Sequence, residues 1–282
     1  MASSRTRSRG TAGRARTGPF AVSRQSERQA LRTAGRAGFV ARGVVYLLIG
    51  VLALDIARGR PGSQADRQGA LHQIAAQPFG QAMLVVLATG FGCMALWCAS
   101  LAVTGERGRK KTGSRLIGAV RAVFYASVCW GTAAYAAGSG SQGGDAQSQD
   151  WTASALKLPD GRLLVGLAGV ALTGAGIAIV VRAFQRRFLK DLDTAAMGRR
   201  TREAVTGLGL GGNTARGVVF AGAGVFVLIA AVTFDPRQAK GMDATLRSFA
   251  HTPAGPWLLV LVAVGLLLFG AFSFASARWR KL

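Results

Sequence analysis

The chain has 282 residues, half of them apolar, with 35 Lys and Arg against 12 Asp and Glu and a formal charge of +23. Its mean hydropathy is +0.30 despite that charge, so the apolar residues are gathered in blocks, which excludes an ordinary soluble globular domain. The bases lie between the blocks, where positive-inside topology explains them and nucleic acid is not the expected partner.

Residues 1–34 are Arg, Ser, Thr and Gly with scarcely a bulky side chain. They cannot bury a core and are expected to form a disordered basic cytoplasmic tail. The basic run is too long for a signal peptide, and the apolar run that follows is long enough to span. A span needs about 20 apolar residues, at about 1.5 Å per residue across about 30 Å of hydrocarbon. Six runs qualify, near Gly38–Ala57, Phe79–Val103, Leu116–Ala137, Gly161–Val181, Thr214–Phe234 and Trp257–Ala277. Of the 35 Lys and Arg, 27 lie in the two tails and in the second and fourth connections. Both termini are therefore expected in the cytoplasm, with the protein in a bacterial plasma membrane. Trp97, Trp151, Trp257 and Trp279 fall near span ends, where indole favours the interface.

The outer connections, notably Gly138–Asp150, are rich in Gly, Ser, Gln and Asp and are expected to be flexible and solvated. The connection after the fourth span differs. Phe184, Phe188 and Leu192 share one helical face, with Arg186, Arg187 and Lys190 elsewhere, which predicts an amphipathic turn at the membrane interface.

A short run recurs through the chain. Arg42-Gly43-Val44-Val45-Tyr46 is repeated closely as Arg216-Gly217-Val218-Val219-Phe220 and loosely as Arg121-Ala122-Val123-Phe124-Tyr125. About 37 residues after each arginine stands a Pro-x-Gly: Pro78 and Gly80, Pro159 and Gly161, Pro253 and Gly255. Fixed-period self-similarity marks a repeat architecture. The predicted fold is all-α, a polytopic membrane protein of six transmembrane helices in three tandem parallel two-helix repeats. Repeat 1 covers residues 35–105, repeat 2 covers 106–184, a cytoplasmic amphipathic linker covers 185–208, and repeat 3 with a short basic tail covers 209–282.

The longer motif G-x-x-G-x-x-A-R-G occurs over Gly35–Gly43 and again over Gly209–Gly217, each time followed by Val-Val and an aromatic ring. It resembles the bacterial membrane family called domain of unknown function 1206, which is built of three such two-helix repeats. The resemblance runs from about Gly35 to Trp279. The middle copy departs from it: Ser114 and Ile117 stand for the glycines, and Ala122 for the glycine after the arginine. The resemblance implies architecture and supplies no activity.

The chemistry-bearing residues are few. Each repeated arginine is expected at the cytoplasmic edge of an odd span, with Tyr46, Tyr125 or Phe220 one turn deeper. There it anchors to lipid phosphate or packs helices. A sharper expectation is that Arg42, Arg121 and Arg216 converge on one mouth and attract anions or lipid headgroups, with Glu106 and Glu203 as partners. Each Pro-x-Gly is expected to start an even span. Small residues at every fourth position, such as Gly118, Ala122 and Ala126, are expected to form packing seams.

Asp55 is the one acid inside a span, near its outer end. No acidic pair, His or Lys lies near a span centre, which argues against an ion-coupled carrier or an intramembrane hydrolase. His72 and His251 stand at non-equivalent repeat positions. Cys93, Cys98 and Cys129 have no metal or redox spacing. No catalytic residue, metal site or cofactor is predicted. The expected role is non-enzymatic, through packing, a partner or anionic inner-leaflet lipids, and the alternative is a passive channel or facilitator.

Overall fold

The computed structural model describes residues 19–59, 64–104, 111–139, 144–250 and 255–280. Nine α-helices are described: α1 (Pro19–Ala57), α2 (Arg67–Ala75), α3 (Gly80–Thr104), α4 (Lys111–Ala136), α5 (Gly144–Leu156), α6 (Gly161–Phe184), α7 (Arg199–Thr233), α8 (Met242–Ala250) and α9 (Gly255–Trp279). Six of them, α1, α3, α4, α6, α7 and α9, are long and apolar enough to cross a membrane. The other three are short, and each precedes an even span.

The long helices follow one another in a ring. The most extensive contacts join the second helix of one repeat to the first helix of the next: α3 with α4, α6 with α7, and α9 with α1. Closely fitted glycines serve all three. Built Cβ atoms on Gly50 and Gly217 would lie 2.7 Å from Leu267 and Val180, and one on Gly118 would lie 2.8 Å from the backbone of Ala102. Without a hydrophobic drive between helices in lipid, such small residues let backbones approach and gain dispersion contacts. Each repeat therefore hands its second helix to its neighbour, and the three repeats interlock.

Inside the repeats the packing is unequal. α1 packs on α3 and α7 on α9, whereas α4 and α6 do not pack along each other. In the first pair a Cβ on Gly90 would lie 2.7 Å from the Ala41 methyl, and Gly38 backs onto Met94. In the third pair a Cβ on Gly212 would lie 2.5 Å from Phe269 Cα, and Gly265 backs onto Ala215. The matching positions of repeat 2 are Ile117, Val120, Ala171 and Ala175, and all four are exposed. A branched side chain where a glycine allows contact keeps the two backbones apart.

Several expectations are corrected. α1 already begins at Pro19, so helix covers part of the segment expected to be disordered, and residues 1–18 lie outside the described residues. The connections expected on the outside hold α2, α5 and α8, and the part of Gly138–Asp150 from Gly144 on belongs to α5, with residues 140–143 outside the described residues. The second half of the expected linker is the start of α7. Its Gly-rich run resembles a helix breaker, but Gly209 seats Phe188 and Gly212 seats Phe269.

The apolar side of the amphipathic turn packs on the protein itself. α6 stops at Phe184, Arg186 takes φ 51°, and the next turn docks inward. Phe188 meets Phe272 edge-on at 5.2 Å and Leu192 is buried.

The Pro-x-Gly motifs do start α3 and α6, as turns more than as simple helix ends. Phe79 and Asp160, the middle residues, have φ of 62° and 59°. A Cβ on Gly80 would lie 2.5 Å from the Ala75 carbonyl oxygen, and Gly161 faces the Ala155 carbonyl in the same way. Only glycine fits that reversal. Gly255 starts α9, and Pro253 lies outside the described residues.

Candidate functional site: a cavity on the repeat axis

The first helices of the three repeats enclose a cavity of about 250 Å³. Its walls carry Tyr46, Tyr125 and Phe220, the aromatic residues of the three repeat motifs, together with Phe91 and Phe124. Arg42 and Arg216 line it, and Arg121 does not. Arg121 is exposed on α4, on the helix face of Ile117 and Phe124.

The helices of the odd spans run on past the expected span limits, so the repeat arginines do not lie in terminal turns. Arg216 is the middle residue of α7, about 26 Å from either end at the usual rise. Arg42 lies well inside α1, whose helix runs inward to Pro19. A guanidinium removed from water is retained where something offsets its desolvation. Aromatic faces do part of that. The Arg216 guanidinium lies 5.0 Å from the ring of Phe269, 5.1 Å from Phe220 and 5.8 Å from Tyr46. The Arg42 guanidinium lies 4.7 Å from Phe39 and 5.1 Å from the same Phe269 ring. Desolvated cation–π contacts of this kind contribute up to about 2 kcal/mol each.

Polar partners are scarce. Arg42 Nε donates to Ser273 Oγ at 3.2 Å. Arg216 Nε is buried and has no hydrogen-bond partner. Among the described residues no carboxylate pairs with either side chain. Glu203 pairs with Arg199 at 3.0 Å instead, and Glu106 lies outside the described residues.

The end of the cavity away from the chain termini is closed by α2, α5 and α8, whose N-termini meet around three aspartates. The Gly144 N–H donates to Asp66 Oδ2 (3.0 Å), the Ala244 N–H to Asp145 Oδ2 (3.0 Å), and the Ala65 N–H to Asp243 Oδ1 (2.8 Å). Each repeat thus accepts a hydrogen bond from the next in a closed cycle. Asp66 also caps its own helix through the Gly69 N–H, and Asp243 pairs with Arg247, both at 2.8 Å. Burial pushes the Asp145 carboxyl up, and the charges of Asp243 and Asp66 add to that against the backbone donors. Burial likewise lowers the pKa of Arg67, beside Asp66 in the cavity lining, while the Asp66 charge raises it.

This cycle was not legible in the repeats. The three aspartates stand at unequal distances from their Pro-x-Gly motifs, so the register of the repeats hides them.

Other sequence candidates fall elsewhere. Asp55 sits near the end of α1 with Arg58 at 3.8 Å. Cys93, Cys98 and Cys129 are free thiols. His72 lies in α2, and His251 lies outside the described residues. Among the described residues no group of three His, Cys, Asp or Glu could hold a metal ion.

The family model described as Domain of Unknown Function (DUF1206) matches the chain three times, over residues 37–105, 117–186 and 211–280. The chain belongs to the DUF1206 family. Its three matched segments coincide with the three helix pairs of the ring, so each matched segment holds one long apolar helix, a short connecting helix and a second long apolar helix. An uncharacterized protein of Bacillus subtilis (strain 168), YxxB, is 31% identical over 263 residues, covering 92% of this chain and 94% of the relative. No solved structure matches the chain.

Proposed function

We propose that this DUF1206 protein is a non-enzymatic membrane protein that binds an anionic group in the cavity on its repeat axis. What carries the reading is one observation: two guanidinium groups border one aromatic-walled cavity, no carboxylate pairs with them among the described residues, and Arg216 Nε lacks any acceptor. A buried donor without a partner costs about 1–3 kcal/mol, more when charged. A phosphate or carboxylate oxygen relieves that cost and is the strongest acceptor for a guanidinium.

In this reading the protein lies in a bacterial plasma membrane with both termini in the cytoplasm, and the anion is drawn from the inner leaflet. The basic asymmetry of the connections supports that orientation. The test is thermal unfolding of the purified protein in neutral detergent with and without an anionic lipid. We expect anionic lipid to raise the midpoint of the native protein and to have little effect on Arg216→Gln. Equal shifts for both proteins remove the assignment.

A passive channel is the second reading, favoured by the arrangement of three first helices around one axis. The aspartate cycle closes that axis at one end, so we expect no anion flux through the protein in liposomes. Flux that Arg216→Gln abolishes reverses the order of the two readings.

A further inference from the structure

The geometry points to a lateral portal between α4 and α6, through which the cavity takes the headgroup of a membrane-resident anionic lipid while the acyl chains stay outside. The inference rests on the anion-binding reading and names the class of its ligand.

Size comes first. Pockets that enclose a whole drug-sized ligand measure about 300–1,000 Å³. At about 250 Å³ this cavity accommodates the charged end of a larger molecule, and the remainder needs a way out.

Among the described residues the ring of long helices is open at one place. Around the ring, five of the six neighbouring helix pairs pack along each other, and the pair α4 and α6 does not. Phe124 lines the cavity and is also 50% exposed, so the cavity reaches the outer surface beside α4. The equivalent Val45 and Val219 are 4% and 3% exposed, behind α3 and α9.

The cleft has the chemistry of an amphiphile. Ile117 and Val120 on α4 are exposed apolar side chains suited to an acyl chain, and Ala171 and Ala175 on α6 are exposed with them. Arg42 and Arg216 line the cavity inside. Two cations there match a headgroup that carries a phosphate. A soluble anion from the other end would have to part α2, α5 and α8, which the aspartate cycle ties together.

The test uses the full chain in nanodiscs of phosphatidylcholine with or without phosphatidylglycerol. Retained lipid is counted by native mass spectrometry, and glycerol 3-phosphate serves as a headgroup without chains. Ala171→Trp blocks the cleft from an exposed position, and Arg216→Gln removes a cation from the cavity. We expect retained phosphatidylglycerol, weakened about tenfold, or about 1.4 kcal/mol, by either substitution. Binding of glycerol 3-phosphate, which leaves no chain in the cleft, is expected to fall in Arg216→Gln and to fall less than that of the lipid in Ala171→Trp.

If glycerol 3-phosphate binds as tightly as the lipid and Ala171→Trp changes neither, the portal is wrong and the anion site stands. If neither ligand binds, the anion reading itself fails and takes the portal with it. If the native spectrum shows a dimer that Ala171→Trp splits, the cleft is an interface between two copies and the portal is overturned.

Discussion

Repeats 1 and 3 close on themselves, and repeat 2 does not. In the closed pairs a glycine of one helix faces a side chain of the other, twice over: Gly38 with Met94 and Gly90 with Ala41, then Gly212 with Phe269 and Gly265 with Ala215. Repeat 2 keeps the same helices, the same interlock with its neighbours and the same aromatic ring in the cavity wall. It differs at four positions, Ile117, Val120, Ala171 and Ala175, and there the two helices stand apart. Loss of close contact at a few small residues is enough to turn a sealed ring into an open one, because lipid competes equally well for an apolar face. The departure of the middle copy from the motif is thus where this fold differs from threefold symmetry.

The largest expected effect sets the two kinds of interface against each other. Gly265→Leu drives a side chain into Ala215 and should destabilise the protein by about 3 kcal/mol, the upper part of the overpacking range. Ala171→Leu, at the matching position of repeat 2, should change stability by less than about 0.5 kcal/mol. Unfolding of both variants in one detergent measures the difference. Equal costs would mean that α4 and α6 pack like the other pairs.

That asymmetry was half legible in the sequence. The apolar blocks, the repeat arginines and the Pro-x-Gly motifs carried the spans, the three repeats and the starts of the even helices. Ile117 in place of glycine was also visible as a departure. What it does was not, because the partner positions on the even helices belong to no motif, and only the fold brings Gly90 to Ala41 or Gly265 to Ala215. The length of α7 was hidden for a related reason. The run Gly207–Gly212 has the composition of a helix terminus, and its role in seating Phe188 and Phe269 exists only after α7 has packed. The short helices α2 and α5 carry little periodic apolar signal, and α8 is amphipathic but only nine residues long; the shared aspartates join their N-termini.

A second contrast concerns the turns. Gly161→Ala places a methyl against the Ala155 carbonyl and should cost about 2 kcal/mol. Gly174→Ala on the same helix meets nothing within 4 Å and should be neutral or slightly stabilising, by up to about 1 kcal/mol. Thermal unfolding of the pair isolates the Pro-x-Gly turn from helix propensity.

Smaller effects are expected in the aspartate cycle. Asp66→Ala strips the acceptor from two N–H groups, of Gly69 and Gly144, and should cost about 1–2 kcal/mol. Asp145 behaves differently. Its folded pKa is raised by burial and by the neighbouring carboxylates. The folded state therefore holds a proton that the unfolded chain has released. That contribution is fully present below the ordinary carboxyl pKa of 3.8 and is lost as pH rises through the raised value. Asp145→Asn should remove this dependence and leave a flatter stability profile on the acid side. An unchanged profile would mean that Asp145 is solvated and uncoupled from the other two carboxylates.

The most direct measurement of the open ring needs no substitution. Lipids that carry a photoactivatable diazirine in the acyl chain label whatever protein surface the hydrocarbon touches, and peptide mapping reads the positions. The account predicts labelling at Ile117, Val120, Ala171 and Ala175, and none at the equivalent Gly38, Ala41, Gly90 and Met94 or Gly212, Ala215, Gly265 and Phe269. Equal labelling of the three sets, or protection of all three, would contradict it.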